Sequence, residues 1–258
     1  VSNSLPIVDS IALSPSPLRT NDSLTATVVA SDIDGDPLTL TYEWTVNGTV
    51  VQSGIDDSLD GAQYFDKGDQ IYVTVTPNDG IENGASEVSS TETVVNTDPV
   101  ISAVSVTTTG DVTTTSELTC SYSGFDDDDE DDDSSTLSWT INGDEVGTDS
   151  TLSGVFVKGD EVTCTVTPHD GFDAGTPASA SVTILNTPPE VDNVSIDPEE
   201  AYAADTLLCS YDFSDDDGDS DVSTISWTID GSEVGTDSTL DGAFTGGDEV
   251  TCTVTPHD

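Results

Sequence analysis

Basic residues are almost missing from this 258-residue chain: Arg19, Lys67 and Lys158 stand against 52 acidic residues, for a net charge of −49. A phosphate backbone would be repelled rather than neutralised, which excludes nucleic acid as a partner, and anionic membrane surfaces fall to the same argument. Methionine is absent and only two histidines occur, His169 and His257. Neither forms part of a recognisable nucleophile–base pair, so no enzyme is expected. No apolar run is long enough to span a bilayer and no signal peptide is present, so no membrane insertion is expected of this segment. Val1 is not an initiator methionine, and the pattern described next breaks off at Asp258, so both ends are expected to be cut from a longer array.

What the chain does contain is a repeat. Cys120, Trp139 and Cys164 return in the same order as Cys209, Trp227 and Cys252, and once upstream as Ala26, Trp44 and Val73. Asn3, Asn96 and Asn186 open equivalent segments, a period of 93 and then 90 residues. The boundaries that follow are 1–3 for the end of a preceding repeat, then 4–96, 97–186 and 187–258, the last without the segment that supplies Ala180–Leu185 to the second. Within the first repeat Leu40, Tyr42, Trp44 and Val46 alternate with Thr39, Thr41, Glu43 and Thr45, the period-two pattern of a half-buried strand. Asn47-Gly48, Asn142-Gly143 and Asp230-Gly231 then favour a tight hairpin. No stretch reads as helix. The expected fold is all-β: tandem antiparallel sandwiches of about seven strands, the third lacking its last strand.

A tryptophan between two mid-strand cysteines resembles the immunoglobulin-like sandwich. The resemblance implies disulfides Cys120–Cys164 and Cys209–Cys252, with buried reduced thiols as the alternative, and paired thiols would place the chain outside the cytoplasm. Ala26 and Val73 fill the same places in the first repeat, so the bond is dispensable to the fold. Zinc is not expected, because no Cys-x-x-Cys or Cys/His cluster occurs.

The acidic run before each tryptophan keeps a register. Counting six, eight and ten residues on from Ala26, Cys120 and Cys209 gives Asp32, Asp34 and Asp36; Asp126, Asp128 and Glu130; and Asp215, Asp217 and Asp219. Alternate carboxylates on an irregular loop suit one hard cation, and calcium takes six to eight oxygens in flexible geometry. The competing reading is a solvated acidic loop. An EF-hand is excluded by Pro37 at the glycine position and by the lack of flanking helices. In an immunoglobulin-like sandwich further ligands would gather at the same end: Asp79, Asp170 and Asp258 from the following loop, and Asn3, Asn96, Asp98 and Asn186 from the linkers. Three sequons, Asn21, Asn47 and Asn193, could carry glycans, although Asn47 is more simply a hairpin residue.

Asp32-x-Asp-Gly-Asp36 leading to Tyr42-x-Trp44, with Val73-Thr-Val-Thr-Pro-Asn-Asp-Gly80, resembles bacterial and archaeal surface repeats of PKD, cadherin and bacterial Ig-like type, and the likeness covers the whole chain. It implies an extracellular or cell-surface location and calcium as the cofactor. The expected function is a structural segment, an adhesin stalk, filament or surface-coat spacer in the form of a long rod. The alternative is carbohydrate- or protein-binding or spacer modules attached to a secreted enzyme. Expected partners are neighbouring repeats of the same chain and other copies in a fibre or surface layer.

Overall fold

The computed structural model describes residues 2–258, so Val1, the first residue of the expected preceding repeat, lies outside the described residues. Among the described residues the chain is built of strands, apart from one helical turn, Gly61–Tyr64, which the sequence did not suggest. No helix among the described residues is long and apolar enough to cross a membrane. Two compact units are formed: residues 1–103, 122–136 and 166–178 make the first, and 104–121, 137–165 and 179–258 the second.

In the first unit, strands Ile7–Ser14, Ser23–Ser31 and Ser58–Asp60 form one sheet. A second sheet runs Leu18–Arg19, Glu92–Val95, Gln70–Asn78, Thr39–Val46, Thr49–Gly54. Its central pair is antiparallel, with Trp44 opposite Val73. Leu18 and Val94 pair in parallel at its edge. The alternation read from the sequence now has a cause: Tyr42, Trp44 and Val46 are buried in one core cluster with Leu24, Leu59, Phe65 and Val75. Burying such side chains contributes about 1.5–3 kcal/mol each. The Trp44 indole N–H donates to the Asp56 carbonyl at 3.3 Å, so its one polar atom is satisfied inside that core.

In the second unit, Trp139 and Trp227 are likewise 0 % exposed. They donate to the carbonyls of Asp149 and Asp237 at 2.8 and 2.9 Å. The cysteines are bonded as Cys120–Cys164 and Cys209–Cys252, with Cα separations of 6.1 and 6.2 Å. Asn142-Gly143 and Asp230-Gly231, like Asn47-Gly48 in the first unit, have positive φ at both turn residues, the conformation those dipeptides tolerate best. The sheet containing Trp139 has four strands, ending in Ala178–Thr183, whereas the sheet containing Trp227 has three. The third repeat therefore has no last strand among the described residues.

Candidate metal centre

Each acidic loop is organised by its first aspartate. Asp32 Oδ1 accepts the backbone N–H groups of Asp34 at 2.8 Å and Asp36 at 3.4 Å. Asp215 does the same for Asp217 at 2.9 Å and Asp219 at 3.0 Å. In the second repeat the equivalent residue is Asp127, holding Asp129 at 2.8 Å and Asp131 at 3.4 Å. The register expected there was Asp126, Asp128 and Glu130, and it is displaced by one. Ser102 meets Ser123, and Val100 meets Asp126, through backbone hydrogen bonds, so Gly124 and Phe125 on one side face Ile101 alone on the other. Gly124, at φ 67°, makes that bulge. Asp126 is consequently a strand-bridge residue with an exposed side chain, and Asp128 and Glu130 also point to solvent.

The corrected register puts Glu130 where Gly35 and Gly218 stand, with φ of 61° against 81° and 77°. A side chain there costs about 1–2 kcal/mol. Glu130→Gly should therefore raise the stability of the second repeat by about 1 kcal/mol, read by chemical denaturation, and Gly35→Glu should do the reverse in the first.

The middle aspartate of each loop holds a linker. Asp34 accepts the Ser4 N–H at 2.6 Å, Asp129 that of Thr97 at 2.6 Å, and Asp217 that of Thr187 at 2.5 Å. From the following loop, Asp79, Asp170 and Asp258 accept the side-chain amides of Asn3, Asn96 and Asn186 at 2.9, 2.7 and 2.6 Å. Asp79 and Asp170 are only 5 % and 4 % exposed. Burial opposes the charge on Asp170, but the Asn96 amide and the N–H groups of Asp173 and Phe172 outweigh it and bring its pKa down to about 2. For Asp79 the Glu82 N–H leads, with Asn3 and Ile81, and again favours the charged form. Asp127 moves the other way, because burial raises it further than the N–H groups of Asp129 and Asp131 lower it.

The three basic residues, which the sequence offered only as a count, all lie at the linkers. The Lys67 ammonium reaches Asn96 Oδ1 at 3.0 Å and the carboxylate of Asp131. It also sits 3.9 Å from the centre of the Phe172 ring. Lys158 meets Asn186 Oδ1 at 2.6 Å and the carboxylate of Asp219. Arg19 donates to the Asn96 carbonyl at 2.6 Å and to Asp98 at 3.2 Å. Burial lowers the pKa of Lys67, but Asp131, Asp129 and Asp170 raise it by more. Thr20 and Thr114 add hydroxyl bonds to Asp129 and Asp217. Asn96 and Asn186 thus have both amide atoms engaged by protein, and Asp98 belongs to the arginine, so these three stand outside the cation-ready groups.

Those groups are Asp32, Asp34 and Asp36; Asp127, Asp131 and Asp170; and Asp215, Asp217 and Asp219, with one oxygen from each residue lying within 4.8 Å of the others. In each group one atom is orphaned: Oδ2 of Asp32, Asp127 and Asp215 is buried without a hydrogen-bond partner. An unsatisfied carboxylate oxygen is costly to bury, and an all-oxygen donor set fits a hard cation.

His169 explains itself as a loop residue. Its Nδ1 accepts the Gly171 N–H at 2.8 Å, as Asn78 Oδ1 accepts that of Gly80 at 2.7 Å. Among the sequons, the side-chain amides of Asn47 and Asn193 are tied to Asp69 and Asp212, while Asn21 is exposed.

No protein-family model matches the chain, and no curated protein sequence matches it. Among solved structures it is similar to a two-domain fibronectin type III segment of chicken tenascin, at 13 % identity and a TM-score of 0.37, over 68 % of this chain and 98 % of that one. It is also similar to the FN1–FN3 domains of chicken CNTN1, at 10 % identity and a TM-score of 0.29, over 96 % and 88 %. Immunoglobulin domains 1–5 of Sidekick-1 align at 11 % identity and a TM-score of 0.35 over 92 % of this chain, which spans 50 % of their length.

Proposed function

We propose that the chain is a non-catalytic spacer segment of an extracellular surface protein or fibre, and that calcium at the linker end of each repeat stiffens it. The observation that carries the reading is the orphaned buried oxygen of Asp32, Asp127 and Asp215, recurring at one loop position in all three repeats. A divalent cation there would satisfy that oxygen and neutralise carboxylates that otherwise repel. The residues to hold it are Asp32, Asp34 and Asp36; Asp127, Asp131 and Asp170; and Asp215, Asp217 and Asp219. Because Asp34, Asp170 and Asp217 also hold linkers, fixing them would oppose bending of the chain at that point. The repeat boundaries at 96/97 and 186/187 belong to this reading.

Calorimetry with calcium, together with small-angle scattering in calcium and in chelator, tests it. Binding is expected in the range of extracellular modules, ~10⁻⁴–10⁻³ M, with a narrower distribution of distances when calcium is present. Asp127→Asn should remove one site, and Asp126→Asn, one residue away on the bulge, should remove none. Unchanged scattering with no heat of binding would leave the aspartates as solvating surface and sink the calcium reading.

A further inference from the structure

The second and third cation groups each share a carboxylate with a lysine of the preceding repeat. The Lys67 ammonium is held by Asn96 Oδ1 at 3.0 Å and by the carboxylate of Asp131, which also belongs with Asp127 and Asp170 to the second group. Lys158 repeats the arrangement with Asn186 Oδ1 at 2.6 Å and the carboxylate of Asp219, a member with Asp215 and Asp217 of the third. The seat of Lys67 is partly enclosed: its side chain and that of Asp131 are 24 % and 21 % exposed. The Phe172 ring covers the ammonium from 3.9 Å.

What the ammonium does not reach is the orphaned oxygen. Oδ2 of Asp127 and of Asp215 stays buried without a partner while Lys67 and Lys158 are seated. A seated lysine thus neutralises one carboxylate of each group and leaves the buried oxygen unsatisfied. A divalent ion that took that oxygen would share Asp131 or Asp219 with an ammonium only one carboxylate away, and two cations that close repel strongly in a partly buried site. Occupancy by lysine and by the ion is therefore competitive. A monovalent ion gains little by the exchange, since it brings the same charge as an ammonium that its own chain holds at high local concentration.

Resting on the calcium reading, we propose that Lys67 and Lys158 are tethered counter-ions, seated in the second and third groups when calcium is absent and expelled when it binds. Each lysine then sets the calcium level at which the next repeat is loaded. The exchange frees Oδ1 of Asn96 and Asn186 but not the linkers, because the Thr97 N–H stays on Asp129, the Asn96 amide on Asp170 and the Thr187 N–H on Asp217. A long flexible stem gives way to an ion fixed among carboxylates, so the joint is held in chelator and stiffer in calcium.

The chain has only these two lysines, so acylation of their amines, located by mass spectrometry, reads each seat separately. Calcium should raise the acylation rates of Lys67 and Lys158 about fivefold relative to an added lysine peptide, and sodium at equal ionic strength should not. Asp127→Asn should leave Lys67 protected in calcium while Lys158 is released. In calorimetry Lys67→Gln, which keeps a donor for Asn96, should tighten one site about fivefold, and Lys67→Arg, which keeps the charge, should not. Heat of calcium binding with unchanged acylation at both lysines would overturn this proposal and leave the calcium reading standing. Release of the lysines by sodium as readily as by calcium would also overturn it. No heat in either the parent chain or Lys67→Gln would overturn both readings together.

Discussion

Reductant should unravel the third repeat first, the second later and the first not at all. The bonds close loops with sequence separations of 44 and 43. In the chain-entropy account, loops of that size stabilise a domain by about 4 kcal/mol, a large share of what one small sandwich has. The order comes from access. Cys164 is 0 % exposed beneath a complete four-stranded sheet, whereas Cys252 lies half-buried on a strand with one flank uncovered. The first repeat packs Ala26 and Val73 at the same positions and has no bond to lose. Hydrogen exchange resolved by repeat, with and without reductant, reads this directly. Parallel loss of protection in the first repeat would show that the three do not unfold independently.

Gly175→Ala should be nearly as damaging, though the residue touches neither core nor cysteine. A Cβ on Gly175 would lie 1.8 Å from the Pro99 carbonyl oxygen, and one on Gly84 would lie 1.8 Å from that of Pro6. Both obstacles are backbone, so the linker must leave the loop that grips it. The Gly175 N–H, bonded to the Pro168 carbonyl at 2.9 Å, holds that loop closed. Overpacking of this kind costs about 1–3 kcal/mol or more, and here it would also pull Asn96 from Asp170. Gly147→Ala is the control: its Cβ would meet nothing nearer than Leu152 at 3.9 Å, and the change should stay within about 0.5 kcal/mol. Thermal unfolding of the two variants compares them. Equal melting temperatures would mean that the linker does not need this close approach.

The sandwich was legible because its landmarks are local. A tryptophan in an alternating run, a turn dipeptide after it and a cysteine on either side each signal through neighbours in sequence, and all three copies agree. The candidate site was legible only where loops have equal length. Counting from Cys120 assumed an unbroken strand, and the bulge at Gly124 moved every carboxylate by one, so Asp127 and Asp131 were passed over. The roles of Asn96 and Asn186 were hidden for another reason. An asparagine near aspartates reads as a ligand, but an amide can donate, and here it donates to Asp170 and Asp258 while accepting from a lysine. Lys67 and Lys158 could not have been placed by pattern, because each acts on a loop more than 60 residues away. Gly84 and Gly175 share a place in two repeats, the one signal that could have found them.

The lysine clusters have a consequence for how such a chain can lengthen. Residues 97–186 hold both halves of the joint: Asp129 and Asp131 accept from Thr20 and Lys67 at one end, and Thr114 and Lys158 donate from the other. Genetic duplication of that segment would create a new joint whose two faces already match, with no compensating change needed in either copy. A unit that carries its own plug and socket multiplies freely.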